Sequence, residues 1–159
     1  MEITIKPVRA EDVEEMLQMI RDLARYERLE REVQANSELL HRAFFGPQPV
    51  AGALFARFDG EAAGYAIYFF TFSSFLARAG IWLEDIYVKP KFRKRGLGRQ
   101  LIEAVARVGT EHGCGRYEWI VLNWNERALD FYQSIGARAM REWVFHRMNP
   151  AELQRLGER

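Results

Sequence analysis

Apolar and polar residues alternate from Ile3 to Val8, opening Ile-Thr-Ile, which predicts a half-buried strand. The period then changes. Val13, Met16, Leu17, Ile20, Leu23 and Ala24 recur at helical spacing and predict a helix with one apolar face. Arg9, Ala10, Glu11 and Asp12 open it, and the acids suit the positive end of the helix dipole. The polar run YERLEREVQAN leads to a second predicted helix that carries Leu39, Leu40, Phe44 and Phe45. Asn36 or Ser37 can cap that helix, and Gly46-Pro47 stops it. Asp59-Gly60 then separates two apolar runs, a strong hairpin signal. Phe55, Phe58, Tyr65, Ile67, Tyr68, Phe69 and Phe72 are typical strand residues. After a loop around Ser73 to Gly80, IWLEDIYV reads as another strand. Leu97, Leu101, Ile102, Val105 and Val108 mark one side of a third helix, which Gly113 and Gly115 punctuate. YEWIVLNW predicts a strand, NERALDFYQSI a short helix, and AMREWVFHRM one or two closing strands. The tail PAELQRLGER predicts a last turn or short helix.

This order implies a mixed sheet with helices on its faces. No stretch is rich enough in linker residues to divide the chain, so residues 1–159 are expected to form a single domain. With 48% hydrophobic residues, the chain can bury a sizeable core. Its 23 basic and 22 acidic residues nearly balance, which argues against a general nucleic-acid binder. Cys114 is the sole cysteine, so no internal disulfide can form, and a reducing compartment suits the chain. The start, MEITIKPVRAED, lacks the pattern of a signal peptide, and no apolar run approaches a membrane span. A cytoplasmic location without membrane association is the expectation. His41, His112 and His146 are scattered without ligand spacing, and no metal is expected.

Charge is concentrated in one place. VKPKFRKRGLGRQL, from Val88 to Leu101, holds six Lys and Arg residues around Gly96 and Gly98. It lies where a strand hands over to a helix. Glycines there let the backbone turn tightly and approach a ligand. The N–H groups of a first helical turn can receive an anion. A basic run at that end opposes the helix dipole and needs an anion or good solvation. The spacing is neither the dinucleotide fingerprint nor a P-loop.

R-x-x-G-x-G after V-x-P, in this strand-to-helix setting, resembles the acetyl-CoA-binding motif of the GNAT family of N-acetyltransferases. RDLARYERLEREV, YAIYFFTFSSF, WLEDIYVKPKFRKRGLGRQL, NWNERALDFYQSIGA and WVFHRMNPAEL extend the similarity over nearly the whole chain. They resemble the diamine (spermidine/spermine) and thialysine branch of that family. The Phe58–Gly64 turn is shorter than in animal enzymes of this type. The resemblance implies an α/β (α+β) GNAT acyl-CoA N-acyltransferase fold. Its sheet would be mixed and mostly antiparallel, of about six to seven strands, with helices on both faces and a splayed parallel pair at the cofactor site.

The resemblance also implies a site. The CoA pyrophosphate would lie over Arg93, Lys94, Arg95, Gly96, Leu97 and Gly98, with Arg99 close by. The pantetheine arm would run along Ile86, Tyr87 and Val88, where a backbone N–H polarises the thioester carbonyl. Tyr132 matches the family tyrosine that protonates the departing thiolate, and Asn125 could cap its helix and bond to the cofactor arm. An alkylammonium must lose a proton before it attacks. Glu84 matches the residue proposed as base, acting through water, and Asp85 stands beside it. Simple alternation would send the two to opposite faces unless a bulge intervenes, and it leaves open which faces the acceptor. Trp82 shares strand parity with Glu84 and could wall the acceptor site. Glu27, with Glu30 and Glu32, lies where the resembling enzymes line their acceptor channel.

The implied activity is direct acetyl transfer in a ternary complex to a primary amine of a small polyamine or diamine. Thialysine or a lysine-like amino acid is the alternative, and a protein amine or a non-catalytic CoA-binding module lies further off. Cys114, at the far end of its helix, makes a poor nucleophile. A homodimer is expected from the resemblance.

Overall fold

The computed structural model describes residues 2–158, which divide into two compact units meeting between Ile120 and Val121 in sequence. The first unit is built on a sheet in the order β1-β2-β3-β4-β5. Its strands are β1 (Ile3–Pro7), β2 (Gly52–Phe58), β3 (Glu61–Ser73), β4 (Arg78–Val88) and β5 (Tyr117–Glu118). Each pair is antiparallel except β4 with β5, so the sheet is mixed as expected. Asp59 (φ 48°) and Gly60 (φ 82°) both occupy the left-handed region, as the tight turn between β2 and β3 requires.

Helix α1 (Val13–Tyr26) covers one face of the sheet. Its Met16 and Met19 pack into a core with Ala53, Phe55, Tyr65, Ile67 and Tyr87. On β3, Tyr65 and Ile67 share a face because strand side chains alternate. Helix α3 (Leu97–Glu111) lies on the opposite face, where Gly109 lets Ile81 come so close that a Cβ would stand 2.8 Å from its Cγ2. Helix α2 (Ser37–Phe45) starts at Asn36, whose side chain accepts from the Leu39 N–H at 2.9 Å. Ahead of α1, Asp12 is buried and receives Arg57 at 2.6 Å and Arg9 at 3.2 Å. Burial works to raise its pKa, but these hydrogen bonds outweigh it and hold the carboxyl below its ordinary value.

The second unit contains α4 (Glu126–Ser134) and α5 (Pro150–Gly157), joined by irregular chain. Here the sequence expectation of six to seven strands is corrected to five among the described residues. YEWIVLNW contributes only Tyr117 and Glu118, paired with Ile81 and Trp82, and AMREWVFHRM forms no strand. A strand is completed by a neighbour's ladder, and the second unit contains none to pair with. The loop expected at Ser73–Gly80 is also shorter, because β3 runs to Ser73 and β4 begins at Arg78. No helix among the described residues is long and apolar enough to cross a membrane.

Candidate active site

The central feature is an irregularity in β4. Asp85 pairs with Ile67 and Leu83 pairs with Tyr68, so Glu84 is an extra residue with no partner across the ladder. One inserted residue resets the alternation. Trp82, opposite Phe69, lies on the Ile67 face, and its ring stands 6.1 Å from the Phe69 ring. Asp85 lies on that same face. Glu84 turns to it as well, since the Trp82 indole N–H donates to its carboxylate at 3.0 Å. The bulge therefore gives both carboxylates and Trp82 to the α1 side of the sheet. Simple alternation, which would separate Glu84 from Asp85, does not hold here.

The end of α1 completes an acidic group. Glu27 caps α1 and is half-buried, and burial raises its pKa. Asp85 is pushed up to about 7, first by burial and then by the charges of Glu84 and Glu27. Asp22, one turn back on α1, bonds to Arg25 at 3.1 Å. Glu30 and Glu32 form a short turn of their own, and Glu30 lines a cavity of about 250 Å³ with Arg21, Arg25, Val33 and Ala35. They do not join Glu27 and Asp85. Among the described residues, no group of His, Cys, Asp and Glu could hold a metal ion.

At the other end of β4, the basic segment is largely engaged within the chain. The Arg93 guanidinium donates to the Val88 carbonyl at 2.8 Å and lies over the rings of Tyr26 and Tyr87. Arg95 lies over Phe58, Lys91 pairs with Glu61, and Arg99 pairs with Glu103 at 2.9 Å. Lys89 and Lys94 have no ion pair among the described residues. Gly96 precedes α3 in the left-handed region (φ 82°), and no side chain caps the N–H groups that follow. A Cβ added to Gly98 would meet nothing within 4 Å. Uncapped donors, an unobstructed backbone and two unpaired lysines suit an anionic group such as a pyrophosphate. Past Trp82, the β4 edge runs through Ile86, Tyr87 and Val88 without β5 alongside, because β5 ends at Glu118.

Asn125 and Tyr132 belong to the second unit. Asn125 is the N-cap of α4 and accepts from the Ala128 N–H at 3.3 Å, as its sequence position suggests. Tyr132 sits in the last turns of α4, its ring 5.6 Å from that of Phe131. Two residues near the carboxylates escape a reading of the sequence. Asp22 and Tyr65 look there like one acid on a solvated helix face and one core aromatic. Tyr65 is fully buried, yet its hydroxyl has no hydrogen-bond partner among the described residues.

Residues 13–137 match the acetyltransferase (GNAT) family. The chain is 38% identical to a thialysine N-epsilon-acetyltransferase of Sus scrofa, over 88% of this chain and 86% of that protein. It is 39% identical to an L-ornithine N5-acetyltransferase of Arabidopsis thaliana, over 62% of this chain and 43% of that protein. Among solved structures, an integron cassette protein from the mobile metagenome of V. cholerae superposes with a TM-score of 0.81. That match has 24% identity and spans 100% of this chain and 99% of the other, so it speaks for the fold alone.

Proposed function

The chain belongs to the GNAT family of acetyltransferases, and from that premise we propose that it moves the acetyl group of acetyl-CoA directly to a primary amine of a small dibasic molecule. The observation that carries this reading is the β4 bulge, which puts Glu84, Asp85 and Trp82 on one face beside Glu27. An alkylammonium needs anionic partners to bind and a base to take its proton before it can attack. Asp85 and Glu27 hold the cation, and Glu84, oriented by Trp82, takes the proton through water. Acetyl-CoA supplies an activated acyl group on a thioester. Its phosphates are held by the N–H groups from Lys94 to Gly98, with Lys89, Lys94 and Arg99 alongside, and its arm follows Ile86, Tyr87 and Val88; the Arg93 N–H, which the sequence placed in this set, already donates to the Pro90 carbonyl at 3.2 Å. The β4–β5 pairing has ended before this edge, which leaves its backbone open to the arm. Tyr132 gives a proton to the departing thiolate, and Asn125 steadies the cofactor arm. The enzyme acts as a homodimer.

A lysine-like diamino acid is the preferred acceptor, because the relatives named for thialysine and ornithine both use such amines. A polyamine is the second reading, favoured by Glu27, Glu84 and Asp85 acting on one another, which offers partners to more than one ammonium group. Thiol release from acetyl-CoA, measured with thialysine, lysine, ornithine, putrescine, spermidine, spermine and a lysine peptide, tests both. Turnover confined to the peptide would move the acceptor to protein amines. Tight CoA binding without turnover of any amine would leave a non-catalytic binding module.

A further inference from the structure

Tyr65 pairs directly with Tyr87 across β3 and β4, and Asp85 pairs with Ile67, two residues further along the same face. Tyr65 and Asp85 are thus diagonal neighbours. Such pairs stand about 7–8 Å apart at the backbone, within reach of an aromatic side chain. Tyr65 has no exposed surface; it shares a core cluster with Met16 and Met19, and its ring stands 6.3 Å from that of Tyr87. Its hydroxyl is nonetheless unpartnered among the described residues. A buried hydroxyl left without a partner is destabilising, so a ligand or water is expected to meet it. The titratable groups whose charge reaches it are Asp85 and Tyr87 from β4, Asp22 from α1 and Glu27 at the α1 C-cap. Glu84 adds its charge at Asp85, and Arg25 and Arg93 stand at Tyr87.

We propose that Tyr65 is a positioning residue for the amine-binding carboxylate Asp85, donating its phenol proton to it through one shared water. The inference rests on the acceptor site proposed above. Burial and the surrounding carboxylates push the phenol's own pKa well up, so Tyr65 stays neutral and remains a donor at any working pH. A donor aimed at a carboxylate favours its charged form. Tyr65 thereby keeps Asp85 anionic enough to hold an ammonium despite burial.

The test is Tyr65→Phe, followed in the full chain without substrate by carboxyl-carbon NMR titration of Asp85. The midpoint should rise by about 0.5–1 pH unit, the size of one ordinary hydrogen bond. With thialysine, KM near neutral pH should rise roughly fivefold, kcat should stay within about twofold, and KM should recover as pH increases. Tyr65→Met, which keeps apolar bulk without a hydroxyl, should raise the midpoint equally. A midpoint unmoved in both variants overturns the proposal. Asp85→Asn separates this from the broader reading. If it leaves the KM for thialysine unchanged, Asp85 does not bind the amine, while the titration still decides whether Tyr65 acts on it.

Discussion

The indole N–H of Trp82 donates to the Glu84 carboxylate at 3.0 Å, two residues away on the same strand. The Trp82 ring is itself placed against Phe69 across the ladder. The bond crosses the bulge and holds an exposed carboxylate on the α1 side of the sheet, where we place the acceptor. Trp82→Phe keeps the ring contact and removes the donor. The expected result is a fall of about 10-fold in kcat/KM for the amine, with CoA affinity unchanged. Glu84→Gln should lower kcat further and flatten the alkaline rise in rate. Steady-state profiles of the two variants across pH check both expectations.

Asp85 makes folding depend on pH in a definite direction. Its carboxyl titrates near 3.9 in an unfolded chain and about 7 in the folded one. Between those values the folded state keeps a proton that the unfolded state has lost. Stability from this group is therefore greatest in acid, declines as pH rises through that window, and is flat above it. Asp85→Asn removes the dependence. The variant should be more stable than the parent at pH 8 by about 2–4 kcal/mol, and the gap should close near pH 4. Urea unfolding at the two pH values measures it.

Gly96 and Gly98 should respond differently to the same change. A Cβ at Gly98 meets no protein atom, and alanine favours a helix over glycine by up to about 1 kcal/mol. Gly98→Ala should leave stability equal or higher and weaken CoA binding by about 10-fold, because the methyl group would face the phosphates. Gly96 has φ 82°, where a side chain costs about 1–2 kcal/mol. Gly96→Ala should lower the unfolding midpoint. Calorimetry of binding and thermal unfolding together separate the two roles.

Tyr132→Phe should lower turnover by about 10²-fold or more with little change in CoA affinity, the signature of a lost proton donor. A rate equal to the parent's would remove Tyr132 from the chemistry.

Much of the frame is legible in local pattern. The apolar stripe of α1, the Asn36 cap and the Asp59-Gly60 turn each depend on residues close in sequence, and each is realised. The bulge is different. It is a property of the register between β3 and β4, and IWLEDIYV reads as plain alternation until Tyr68 and Ile67 are seen to skip Glu84. Tyr65 is hidden for a related reason, since an aromatic in a buried strand looks like packing until its hydroxyl is found without a partner. AMREWVFHRM misleads in the opposite way. Its Trp143, Val144 and Phe145 suit a strand, but composition cannot supply the neighbouring strand.

Arg93 has a consequence for how a ligand is met. Its bond to Val88 and its stacking on Tyr26 and Tyr87 tie the loop back to β4 and to the end of α1. The loop thus takes its shape from the protein's interior, and little ordering entropy is left to lose when an anion arrives. Lys91 and Arg99 are already paired to carboxylates, so part of the basic charge is neutralised within the chain. On the proposed reading, the anion is then met by backbone donors with Lys89 and Lys94 beside them, and raising the ionic strength should loosen it less than six neighbouring cations would suggest.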